Sequence, residues 1–256
     1  MKVSVVIASY RHSYLLNKCL DSLKKQTVVP DEIIVAFDSP HYLNGIKTVS
    51  SATTGVSAAR NVGCDEATGD ILVFIDDDAE ADPRWIETIK QAFEEHNPDC
   101  VGGPVTPRFE CGSIPEHYNW IIGCTWDVKR PICCNMAIRR DVFYRLGKFN
   151  EGLGRIRLNL SIGEETELVL KMQDREYIIR WDENVVTNHH VPAHRTTLKY
   201  MCSRAYKEGI GKAIIGNRFK LATENKMLRY YITHPDRYTV PVLGAVLMGY
   251  MRGKLL

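Results

Sequence analysis

Hydrophobic positions in the first hundred residues fall into two alternating patterns. Val3 to Ala8 (VSVVIA), Ile33 to Phe37 and Ile71 to Ile75 (ILVFI) are short, nearly unbroken apolar runs with strand composition. Between them lie stretches of helical period. Ser13 to Lys25 sets Leu15, Leu16, Cys19, Leu20 and Leu23 on one face; Val56 to Thr68 closes at Gly69; Pro83 to His96 follows Asp82-Pro83, a good N-cap and first-turn pair. Cys100 to Gly103 reads as a further short strand. Apolar strands alternating with helices predict an α/β fold, a Rossmann-like, mostly parallel sheet with helices on both faces. Ligands of such sheets bind outside the carboxyl ends of the strands. Ser9-Tyr10-Arg11, Asp38-Ser39 and Asp76-Asp77-Asp78 all sit at such ends and should meet in one crevice.

The middle of the chain is less regular. Asn135 to Ile138 and Ile178 to Trp181 read as strands, Asp141 to Leu146 and Glu164 to Gln173 as helices, and Gly147 to Leu160 as a Gly-rich loop. From Thr196 onward the pattern is helical and basic, which divides the chain into a catalytic body (1–194) and a basic helical extension (195–256). Val240 to Met251 (VPVLGAVLMGYM) carries no charge and is flanked by Arg237 and Arg252. It is shorter than the roughly 20 residues a membrane-spanning helix needs. Basic flanks favour interfacial membrane contact over a buried terminal helix.

Charge sharpens this picture. The net charge is +2, yet Arg195 to the end holds twelve Lys/Arg against Glu208, Glu224 and Asp236, a balance of +9 that leaves −7 for the rest. A basic end on an acidic body suits an anionic partner. Nucleic acid is not expected, because no finger, RNP-like or helix-turn-helix signal is present. The eight cysteines form no CxxC and read as reduced core thiols, with Cys133-Cys134 packing on a strand. Six residues of apolar run after Met1-Lys2 cannot serve as a signal-peptide core, so a cytoplasmic protein is expected.

The chemistry concentrates at Asp76, Asp77 and Asp78. Adjacent anions at the end of a buried strand repel and lose hydration, a cost that a hard cation reverses. In an extended segment Asp76 and Asp78 would share one face and Asp77 the other. Metal and phosphate chemistry follows from the triplet alone; an Asp-rich turn before a helix is the bland alternative.

Five segments then resemble, in order, the family-2 glycosyltransferases of GT-A fold. They are VSVVIASYR, GVSAARNVG (55–63), GDILVFIDDDAEADPRW, NMAIRRDVFYRLGKFNE from Asn135, and GEETELVLKM from Gly163, together covering about Val3 to Arg180. HHVPAHRTTLKYMCSRAYKEGIGKA, from His189, resembles the narrower subgroup of glucosyl-dolichyl-phosphate glucuronosyltransferases. The resemblance implies a nucleoside-diphosphate sugar donor, with a UDP-sugar expected first, and Mn²⁺ or Mg²⁺. It implies Asp38 at the base, with Ala8, Ser9 and Arg11 as the nucleotide floor, Arg60 ordering that floor, and Asp77 beside it. Asp76 would face ribose and metal, Asp78 would bind the metal, and His189 would approach it, with His190 as the fallback. Glu164-Glu165 matches an acidic pair whose second member is usually an Asp general base; Glu165 keeps the chemistry but shifts the reactive oxygens by a methylene. Arg195, Arg204 and Lys212 would meet donor or acceptor phosphate. Two departures stand out: AFDSP where relatives often have paired acid then Gly-Ser, and Pro104 after Gly102-Gly103.

These readings converge on a metal-dependent inverting glycosyltransferase. Its acceptor would be a polyprenyl-phosphate-linked glycan at the cytoplasmic membrane face, with the enzyme held there peripherally through its tail. A polyprenyl-phosphate monosaccharide synthase, a non-catalytic nucleotide-sugar-binding protein and, more remotely, a nucleotidyltransferase are the rivals. The last would usually carry a Gly-rich basic phosphate loop, which Ser9-Tyr10-Arg11-His12 is not.

Overall fold

A computed structural model describes residues 1–127, 129–154, 163–216 and 222–255, with the side chains of 222–226 outside that description. The parallel core consists of β1 (Val3–Ser9), β2 (Glu32–Phe37), β3 (Lys47–Ser50) and β4 (Ile71–Phe74). With β6 (Cys100–Gly102), β8 (Met136–Arg139) and β9 (Ile179–Trp181) it forms a seven-stranded sheet of order β3-β2-β1-β4-β8-β6-β9. Only β8 runs against its neighbours. The expected mostly parallel α/β sheet is present.

The unbroken apolar runs follow from burial on both faces. Val5 and Ile7 of β1 and Ile71 and Val73 of β4 pack on α1 (Tyr14–Lys24) and α3 (Trp85–His96) through Leu16, Leu20, Trp85 and Ile89. Val6, Leu72 and Phe74 point the other way, among Cys64 of α2 (Val56–Asp65), Phe143 of α4 (Arg140–Arg145) and Leu168 of α5 (Glu164–Asp174). Alternate residues of one strand thus serve two cores.

A second, three-stranded sheet of order β5-β10-β7 joins β5 (Ala79–Ala81), β7 (Val105–Phe109) and β10 (Thr187–Val191). Sequence periodicity missed all three, as it missed β3, because three to five residues are too few to show a period. A 3-10 helix at Glu116–Ile122 and another at Ala193–Thr196 were missed because their spacing matches neither a strand nor an α-helix. The C-terminal part comprises α6 (Leu198–Ile215), α7 (Ala222–Thr233) and α8 (Thr239–Gly253).

Several local expectations are corrected. α2 ends at Asp65 rather than Thr68, because the Glu32 carboxylate accepts hydrogen bonds from both the Thr68 amide and hydroxyl. α3 starts at Trp85 rather than Pro83; Asp82 holds the turn before it, accepting from the Arg84 amide (3.0 Å) and the Trp85 amide (2.9 Å). Cys133-Cys134 lie in a buried turn, closed by the Ile132–Asn135 bridge, and not on a strand. Of the loop read over Gly147 to Leu160, residues 155–160 lie outside the described residues.

Candidate active site

The three aspartates leave β4 in a turn rather than an extended strand, closed by the Ala79 amide donating to the Asp76 carbonyl (3.1 Å). This turn, not strand alternation, brings Asp76 and Asp78 together. Asp77 is directed to Ser9, whose hydroxyl donates to its Oδ2. β5 then pairs antiparallel with β10 and sets Ala79 opposite His189. The register places the buried His189 ring beside Asp78, Nε2 to Oδ1 at 3.0 Å. Donor atoms of Asp76, Asp78 and His189 lie within 4.8 Å of one another. Two carboxylates and an imidazole are a donor set that Mn²⁺ or Mg²⁺ can use, with positions left for phosphate oxygens.

Protein cations balance these acids. Arg195 donates through Nη2 to Asp78 Oδ2 (3.1 Å) and lies with Nη1 3.2 Å from His189 Nε2. Burial would depress the His189 pKa, but the Asp78 carboxylate outweighs it and raises it to about 10. The other ring nitrogen, Nδ1, is 3.6 Å from Cys124 Sγ. On the opposite side the buried Arg60 of α2 bridges two elements, Nη2 to Asp76 Oδ1 (2.8 Å) and Nη1 to Glu164 Oε1 (2.9 Å).

That second ion pair separates the two glutamates at the start of α5. Glu164 is committed to Arg60. Glu165 faces the cavity and accepts a hydrogen bond from the Cys133 amide (3.1 Å). Burial and the neighbouring Glu164 carboxylate push the Glu165 pKa up to about 7. A carboxylate near neutrality is poised to take and release a proton.

The resulting cavity, about 530 Å³, is lined by Ala8, Ser9, Arg11, Asp38, Arg60, Asp76, Asp77, Asp78, Glu164, Glu165, His189, Arg195 and Arg204, all expected from the sequence. Asp38 is held by the Gly55 amide, which donates to its Oδ1 (3.3 Å). Lys212 does not line the cavity; it lies two turns beyond Arg204 on α6, 3.8 Å from Glu208. His190 points to the other side of β10, where Nε2 meets Glu80, so His189 holds the cavity position. Tyr10, expected in the crevice with Ser9 and Arg11, lines it too, whereas sequence reasoning missed Val56, Ala59, Ile121, Ile122, Gly123, Ile132, Cys134 and Tyr200.

Carboxylates, an imidazole and arginines thus gather outside the carboxyl ends of a mostly parallel sheet, where α/β proteins bind their ligands. The chain matches Glycosyl transferase family 2 over residues 4–147, more than half its length, and belongs to that family. It is therefore a glycosyltransferase, and its fold is the GT-A fold. The glucosyl-dolichyl phosphate glucuronosyltransferase of Haloferax volcanii is 27% identical over 255 residues, covering 88% of this chain and 81% of that protein. Among solved structures, the mannosyltransferase PcManGT of Pyrobaculum calidifontis, in complex with GDP-Man and Mn²⁺, superposes with a TM-score of 0.64 at 19% identity, covering 100% of this chain and 76% of that one. S. aureus TarS 1-349 in complex with UDP-GlcNAc gives a TM-score of 0.56 at 16% identity, covering 97% and 81%.

Proposed function

We propose that this chain transfers a sugar, by single displacement with inversion, from a nucleoside-diphosphate sugar to a hydroxyl of a polyprenyl-phosphate-linked glycan. The observation that carries the reading is one carboxylate with a pKa of about 7, Glu165, in the same cavity as the Asp76–Asp78–His189 cluster. Asp76, Asp78 and His189 would hold Mn²⁺ or Mg²⁺, and the bound ion supplies positive charge against the donor diphosphate. Ser9, Arg11 and Asp38 receive the nucleoside, and Asp77 holds Ser9 in place. Glu165 accepts the acceptor hydroxyl's proton as that oxygen bonds to the anomeric carbon. The bond from that carbon to the diphosphate oxygen breaks, and the nucleoside diphosphate leaves with the electron pair. Arg195 and Arg204 face the same space and suit donor or acceptor phosphate.

The Haloferax relative's name, a glucosyl-dolichyl phosphate glucuronosyltransferase, supports a lipid-linked acceptor. A UDP-sugar is the first donor to test, in a hydrolysis screen over nucleotide sugars with and without Mn²⁺ or Mg²⁺. Glu165→Gln should lower transfer by about 10²–10⁴-fold while leaving UDP affinity within about twofold. Retained turnover would instead support the polyprenyl-phosphate monosaccharide synthase, in which a phosphate attacks and no base is required. Nucleotide binding without transfer or donor hydrolysis by the unaltered chain would leave only a binding protein.

A further inference from the structure

α8 presents its residues in the reverse of the usual order for a helix on a water-soluble body. Ala205, Gly209 and Ala213 recur every fourth residue on α6, as do Ala245, Gly249 and Gly253 on α8, and all are buried. The backbones touch: a Cβ on Gly249 would lie 1.9 Å from the Tyr206 carbonyl oxygen, and one on Gly209 2.1 Å from that of Val246. Small residues at this spacing let two helices meet backbone to backbone, a mode favoured where lipid surrounds the pair. Gly249 meets Tyr206 and Gly253 meets Ile210, so α6 and α8 run in the same direction.

The large side chains of α8 point outward instead. Val240, Leu247, Met248 and Met251, with Leu255 just beyond the helix, share one face by helical spacing. Their exposure ranges from 53% for Met251 to 80% for Val240 and Leu255. A stripe this apolar is costly in water and marks a contact surface. Arg237 precedes it and Arg252 and Lys254 border its far end, within a segment of local charge +9. Two copies paired through the stripe would set these like charges against each other, whereas anionic headgroups complement them. No described helix is long and apolar enough to cross a membrane.

We infer that the α8 stripe docks on an anionic lipid surface, with the helix lying in the plane of the headgroup–acyl boundary. α6 carries Tyr200 and Arg204 of the cavity, so docking brings the cavity to the lipid surface. That use of the contact rests on the lipid-linked acceptor proposed above; the binding itself does not.

Deletion of the tail is a poor test, because it removes the buried Val242 and Ala245 with the stripe. Surface substitutions avoid that. The full chain should sediment with vesicles of phosphatidylcholine and phosphatidylglycerol and much less with phosphatidylcholine alone. The exposed double variant Leu247→Glu/Met251→Glu should lose at least about tenfold in partitioning, and Arg252→Glu/Lys254→Glu should lose only the preference for anionic vesicles. Donor hydrolysis in solution should stay unchanged in both, which separates a failed docking from a failed enzyme. Absence of vesicle binding by the unaltered chain, or unchanged binding by Leu247→Glu/Met251→Glu, overturns the inference. So does a dimer in analytical ultracentrifugation that Leu247→Glu disperses while vesicles capture nothing, since that assigns the stripe to a second copy.

Discussion

The two walls of the cavity are built differently. Ala8 and Ser9 end one parallel strand, and Asp38 and Asp76 follow closely on the ends of two others. Glu165, His189, Arg195 and Arg204 come from a helix start, a five-residue strand, a 3-10 helix and α6. The first wall inherits its rigidity from the core beneath it. The second is tied to the first by two arginines, Arg60 from Asp76 to Glu164, and Arg195 between Asp78 and His189. The first wall is therefore suited to holding the donor, and the second, joined to it through those ties, to the chemistry.

Cutting the Arg60 tie should have the largest effect. Arg60→Met leaves the buried Glu164 without its partner, and breaking a buried ion pair costs about 3–5 kcal/mol. Chemical denaturation measures that loss. Arg60 also draws the Glu165 pKa down, so in any folded variant the acidic limb of the pH–rate profile, set by ionisation of the base, should move to higher pH. A stability close to that of the unaltered chain would show that the walls do not depend on this tie.

Asp78 sits where the walls meet. Asp78→Ala should weaken Mn²⁺ binding, read by electron paramagnetic resonance, and lower donor hydrolysis by about 10²–10³-fold. Nucleoside binding measured without metal should change little, because Asp38 and Ser9 belong to the other wall. A comparable loss of metal-free binding would dissolve the distinction.

The Arg195 tie competes with the cation for Asp78 and His189. Arg195→Met should therefore tighten Mn²⁺ binding to the nucleotide-free chain by about tenfold, while weakening UDP affinity in the presence of metal. Weaker Mn²⁺ binding in the variant would make Arg195 a support for the metal cluster rather than its rival.

The same contrast explains what the sequence revealed. Ser9, Asp38 and Asp76 could be placed because apolar runs announce their strands and strand ends locate the crevice. Asp78's partner could not be derived that way. His189 lies on β10, too short to show a period, and only the pairing of β10 with β5 carries it to the turn. Its role came from resemblance. Ile121, Ile122 and Gly123 were missed because a 3-10 helix shares neither strand nor α-helical spacing. The tail's basic flanks favoured membrane contact over burial; α8 buries small residues on one side and exposes large ones on the other. Composition gives the first fact about such a helix, and only packing shows which side is which.

The smallest effect concerns Glu165 in the folded chain without ligands. Its pKa stands near 7, against 4.5 for an ordinary glutamate. Between these values the unfolded chain has lost the proton and the folded chain retains it, so stability falls as pH rises from about 4.5 to 7. Above 7 the carboxylate is charged in both states and the full cost is present. Glu165→Gln removes that ionisation. At pH 7.5 it should raise Tm, and near pH 4.5 it should change little. Thermal melts across that range check the sign. A gain at neutral pH together with lost transfer would mark Glu165 as held at an energetic cost for its proton chemistry; a Tm change independent of pH would remove the electrostatic basis for calling it the base.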